Sequence, residues 1–159
     1  MPPGNSVAAL VLSRLARLTS KRRWREAAKL QLSWLAGAAR DYPVGHSFAM
    51  LTFEEELWAT AELVVTAQNM PEELWTFLRE TPRPELTVLV KTPDSAGMLA
   101  TLVPFAEDYP IPERGAQYYL CQNGSCAQPV DTVTELKSLF EKSGWTRPEG
   151  QDKNHPGRF

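Results

Sequence analysis

An α/β fold is predicted by a change of period near residue 59. Residues 1–58 carry apolar positions at helical spacing, whereas residues 59–144 alternate short β-branched runs with helix starts. The third observation is the segment Gln117 to Val130, which holds both cysteines around Asn123-Gly124 and reads as strand, tight turn and return strand. Together these predict N-terminal helices packed with a small three-layer β-α-β-α-β-α segment, its sheet mostly parallel and carrying a Cys-containing hairpin.

The first helix starts at Asn5 or Ser6, either of which can cap it, and runs to about Leu18. Val7, Ala8, Leu10, Val11, Leu12 and Leu15 make its first turns apolar almost all round, which predicts burial on several sides. A second helix over residues 21–40 places Trp24, Ala27, Ala28, Gln31, Trp34, Leu35 and Ala38 on one stripe and stops at Tyr42-Pro43. The third runs from Gly45 or His46 to Trp58 with Phe48, Met50 and Leu51. Its consecutive Glu54, Glu55 and Glu56 fan around the helix and read as a solvated face.

In the second half, Glu62 to Ala67 and Leu86 to Lys91 have the β-branched content of buried strands. Pro71 opens a helix to Glu80, where a first-turn proline costs least. Asp94 or Ser95 caps the next, about residues 96–105, which Pro104 should end or kink. Asp131 to Glu135 begins a last helix reaching about Ser143. The breaker-rich residues 145–159 predict a loose tail, so the chain divides into 1–58, 59–144 and 145–159.

The Asn-Gly pair fixes a register. With Asn123 and Gly124 as a two-residue loop, Cys121 falls opposite Cys126 at a non-hydrogen-bonded site, Cα atoms roughly 4.5 Å apart. That is within disulfide reach. Two reduced thiols packed as small hydrophobes are the favoured reading, and a disulfide is the other. The C-x4-C spacing is neither a C-x-x-C redox motif nor half of a zinc site, so no metal is expected.

Composition predicts one soluble chain with enough apolar residues, 43%, for a substantial core. No run approaches the roughly 18 apolar residues of a membrane span, and the start lacks the basic n-region of a signal peptide, so a cytoplasmic location and no membrane partner are expected. Net charge is −2, which argues against nucleic acid. Within that acidic chain Lys21, Arg22, Arg23 and Arg25 form a short basic run that reads as a solvated helix start. No cofactor is expected either, because neither the dinucleotide fingerprint nor the P-loop pattern occurs. His46 and His155 lack a local nucleophile or carboxylate partner, and no catalytic residue is nominated.

Three segments in order, Pro3-Gly4-Asn5-Ser6-Val7-Ala8-Ala9, Ala61-Glu62-Leu63-Val64-Val65 and Tyr119 to Val130 with its Cys-x-Asn-x-x-Cys-x-x-Pro element, resemble the C-terminal end of the thioredoxin-domain-containing, spermatogenesis-associated protein family. The resemblance covers about residues 2–143. Family members are longer: a thioredoxin-like domain with a Cys-His-Trp-Cys motif precedes a helical toroid similar to sugar epimerases and six-hairpin glycosidases. It implies that this chain corresponds to the last toroid helices plus the terminal α/β segment, with the redox motif outside it.

The resemblance also implies that loops at the starts of inner helices line a cavity. That makes Asn5 and Ser6 candidates for a substrate-facing turn, against their simpler reading as a cap. A structural and interaction module without autonomous catalysis is therefore expected, its partner the remainder of the parent protein or a second copy held through helix faces near Leu10, Trp24 and Trp34. The alternative is part of a carbohydrate-processing or redox-linked enzyme completed by upstream domains.

Overall fold

The computed structural model describes residues 3–57, 60–83, 86–122 and 125–142. Helices α1 (Gly4–Thr19), α2 (Arg22–Asp41) and α3 (Ser47–Leu57) precede β1 (Ala61–Ala67), α4 (Glu72–Glu80), β2 (Leu86–Lys91), α5 (Ala96–Leu102), β3 (Ala116–Gln122), β4 (Ser125–Cys126) and α6 (Val133–Lys142). This is a mixed α/β chain, as its periodicity predicts.

Helix α1 begins one residue before its expected cap. Pro3, extended at φ −64° and ψ 132°, occupies the N-cap, and its carbonyl accepts the Ser6 and Val7 amides, so neither Asn5 nor Ser6 caps the helix. The polar signal is overridden because the extended Pro3 already supplies the cap carbonyl that the first helical amides need. At the other end Ser20 takes the left-handed conformation, φ 54°, turning the chain straight into α2.

The helices meet through small side chains. Ala9, Leu35 and Ala49 form the cluster between them, with Leu32 and Phe53 packed against it, and Ser6, Ser13 and Thr52 are also buried. The expected stripe on α2 is rotated: Ala28, Leu35 and Ala39 are buried while Trp34 is 54% exposed. An indole does not fit where Ala9 and Ala49 let the backbones approach, so the narrower alanine line is buried instead.

In the α/β part the strand order is β2-β1-β3-β4. β1 and β2 are parallel, pairing Ala61 with Leu86 through Thr66 with Lys91, and α4 makes the crossover. The expectation of a mostly parallel sheet is corrected at β3, which runs antiparallel to β1 from Ala67↔Ala116 to Ala61↔Gln122. Both the end of β2 and the start of β3 lie at the same end of β1. β3 therefore re-enters the sheet where β2 left it, the connection through α5 and the 3-10 turn at Pro104–Ala106 returning to the same end without a crossover. Gly115, at φ 74°, turns the chain into β3.

Both sheet faces are covered. On one, Leu63, Val65, Tyr118 and Leu120 pack against Leu74 and Phe77 of α4 and Leu136 and Phe140 of α6. On the other, Val64, Tyr119 and Cys121 pack with Leu89, Phe105 and Tyr109. Helix α6 is entered through a reciprocal capping box: the Glu135 amide donates to Thr132 Oγ1, and the Thr132 amide donates to Glu135 Oε2, each at 3.2 Å. None of the buried clusters joins the helical residues to the sheet residues. The N-terminal helices thus keep a core of their own.

Candidate functional site

The cysteine hairpin has the register its turn residues dictate. Gln122 pairs with Ser125 and Cys121 with Cys126, although Asn123 and Gly124 themselves, like the tail 145–159, lie outside the described residues. The two sulfurs are joined in a disulfide, with Cα atoms 3.9 Å apart, so the structure carries the second of the two readings rather than the free thiols. Cys121 is buried and Cys126 exposed.

A residue outside the hairpin completes this site. The Tyr109 hydroxyl lies 3.1 Å from Cys126 Sγ and 3.5 Å from Cys121 Sγ, and since a disulfide sulfur carries no proton the tyrosine donates. Its ring leans on Tyr119, centroids 4.5 Å apart, and Tyr119 in turn donates to Gln117 Oε1 at 2.7 Å. Burial, with help from the Asp108 charge, raises the Tyr109 phenol above its ordinary value, which keeps it a donor. Glu62 is the cross-strand partner of Cys121, and burial raises its carboxyl against the opposing pull of Arg17.

Tyr109 is held by a lysine. Lys91, at the end of β2, is buried and its Nζ donates to the carbonyls of Ala106, Glu107 and Tyr109 at 2.8, 2.9 and 2.8 Å. An ammonium has three protons and here each meets a carbonyl, so the 106–109 turn is pinned over the sheet. Sequence reading missed both residues. The signal was present only as a lysine closing an otherwise apolar strand run.

Asn5 and Ser6 do not form a common surface. Asn5 is exposed, its carbonyl accepting from Gln31 Nε2 at 3.2 Å, while Ser6 is fully buried between helices. The glutamate run is likewise split, which corrects its reading as one solvated face. Glu55 has a side chain only 10% exposed and accepts from Arg14 Nε at 3.2 Å and Arg17 Nη2 at 2.7 Å, with a further bond from Arg14 Nη2. Burial alone would push this carboxyl up, but the two arginines outweigh it and hold it below the usual carboxylate range. The spacing of 38 and 41 residues between partners hid this network from the sequence.

Between α1, α2 and the end of α3 lies an open groove of about 360 Å³, lined by Ser13, Arg17, Arg25, Lys29, Leu32 and Glu56 among others. Large apolar side chains also face solvent on these helices: Val7 and Val11 on α1, Leu30 and Trp34 on α2, Met50 and Leu51 on α3. Among the described residues no group of His, Cys, Asp or Glu could hold a metal ion, and no helix is long and apolar enough to cross a membrane. The His46 Nδ1 atom has no hydrogen-bond partner among them.

Neither a family model, a curated protein nor a solved structure matches this chain.

Proposed function

We propose that this chain is a structural and interaction module whose helical part binds further α-helices and which performs no catalysis by itself. The carrying observation is the mismatch within that part: its own core is Ala9, Leu35 and Ala49, while Val7, Val11, Leu30, Trp34, Met50 and Leu51 remain at the surface. Helices that meet largely through small side chains leave several of their large apolar ones for a partner, and burial of a leucine or valine contributes about 1.5–3 kcal/mol. The resemblance to the thioredoxin-domain-containing family supports the same reading, since the partner would there be the preceding helices of a toroid. A cytoplasmic location belongs to this proposal as well.

Without such a partner the same face should close on a second copy. Sedimentation velocity of the purified chain is expected to show concentration-dependent self-association that Leu30→Ser with Trp34→Ser abolishes while the far-ultraviolet circular dichroism is unchanged. A wild-type chain that stays monomeric at every concentration sinks the proposal, as does a double variant that associates like the wild type.

A further inference from the structure

The Cys121–Cys126 disulfide adds little to a hairpin that the backbone already holds. It joins residues five apart in sequence. Around it Gln122 pairs with Ser125, the Ala127 amide donates to the Leu120 carbonyl at 2.9 Å, and Tyr118 and Val130 exchange amide-to-carbonyl bonds of 2.8 and 3.1 Å. A crosslink that closes so short a loop removes little freedom from the unfolded chain. Nor does the bond complete the core, since Cys121 packs with Val64 and Tyr119 while Cys126 faces solvent.

Three observations suit the bond to opening instead. Access to the two sulfurs is unequal: Cys126 is exposed on β4, at the margin of the sheet, whereas Cys121 is only 5% exposed. Thiol exchange begins at the sulfur a thiolate can reach. The Tyr109 hydroxyl reaches both sulfurs, at 3.1 and 3.5 Å, so a donor is in place when one of them departs with negative charge. Lys91 holds the tyrosine's loop through three backbone carbonyls, none of which depends on the disulfide. Finally, the Tyr119 carbonyl lies 3.9 Å from Cys121 Sγ, within reach of the proton of a thiol formed there.

We propose that Cys121 and Cys126 form an exchangeable redox pair, opened at Cys126 by a small thiol of the glutathione class. The external thiolate attacks Cys126 Sγ. A new sulfur–sulfur bond forms there as the Cys121–Cys126 bond breaks, and the electron pair of the broken bond leaves on Cys121 Sγ as a thiolate, which Tyr109 stabilises and water then protonates. The product is a mixed disulfide on Cys126. A second external thiolate, attacking the outer sulfur of that mixed disulfide, releases the Cys126 thiolate; two external thiols have then become one disulfide and the chain has gained two electrons. The ladder keeps Cys121 opposite Cys126, so when external thiol is removed the Cys121 thiolate displaces the adduct and restores the original bond.

The test incubates the oxidised full chain in a series of glutathione buffers from oxidising to reducing, quenches with N-ethylmaleimide and reads each cysteine by peptide mass spectrometry. Disulfide and dithiol forms are expected to interchange within the series, with glutathione on Cys126 at least tenfold more often than on Cys121. Removal of glutathione by gel filtration should restore the disulfide in the wild type, whereas Cys121→Ser loaded with oxidised glutathione should keep its adduct. Circular dichroism of the reduced chain is expected to be unchanged. A disulfide that stays closed in the most reducing glutathione buffer overturns the proposal. Equal labelling of the two cysteines overturns it too, and so does unfolding on reduction, which would make the bond a staple. Should Cys121→Ser fail to fold, the labelling ratio in the wild type still decides.

Discussion

The Tyr109 hydroxyl lies 3.1 Å from Cys126 Sγ, so a residue from the loop before β3 guards the exposed sulfur of a hairpin whose other sulfur is buried. A donor at that distance stabilises negative charge as it develops on sulfur during thiol exchange. Tyr109→Phe keeps the ring against Tyr119 and removes only the donor. Reduction of the disulfide by dithiothreitol is expected to slow by roughly tenfold, as loss of one hydrogen bond of about 1.4 kcal/mol would give. Stopped aliquots alkylated and weighed by mass spectrometry read that rate; acceleration in the variant would mean that the ring acts only as a shield.

Lys91→Met should leave the strand end filled but strip three carbonyls of their donor. We expect a loss of about 2–4 kcal/mol, because the Ala106, Glu107 and Tyr109 carbonyls lose a charged partner in a buried place. Urea unfolding measures it. A change under about 0.5 kcal/mol would show that the 106–109 turn holds without the ammonium.

Glu55 gives the helical part an acid-sensitive lock. Its folded pKa is lowered, so its stabilisation is complete above the unfolded carboxylate value of about 4.3 and is lost as pH falls through the lower folded value. Glu55→Gln is expected to cost about 1–2 kcal/mol at pH 7, a figure reduced for the partial exposure of both arginines, and progressively less as pH falls below the unfolded carboxylate value. Thermal melts across that range decide the matter. A cost that does not change with pH would assign the effect to packing.

Glu62 has the opposite sign. Its folded pKa is raised, so the fold is favoured most where the group is protonated, and that advantage disappears as pH rises through the folded value. Glu62→Gln should therefore stabilise the chain by up to about 1 kcal/mol at pH 7 and leave it unchanged near pH 3. Destabilisation at pH 7 would instead show that the Arg17 charge outweighs the burial of the carboxylate.

Local pattern and turn chemistry were enough to locate every helix to within a few residues, to pair Cys121 with Cys126, and to foresee that Pro104 ends α5. These are short-range matters: a 3.6-residue period, a β-branched run, a proline without an amide, an Asn-Gly turn that sets which residues face each other. The direction of β3 was not legible, because it depends on which end of β1 the connection from β2 returns to, and no local pattern sets that. The α2 stripe was misread at Trp34 for a related reason. Periodicity says which residues share a side of a helix, but the alanines of the neighbouring helices decide how close the backbones come and so which line of side chains is buried. Tertiary structure alone brought Tyr109 to the disulfide, Lys91 to the carbonyls of the 106–109 turn, and Arg14 and Arg17 to Glu55. Charge and hydrogen bonding act through space, and only the folded chain sets those distances.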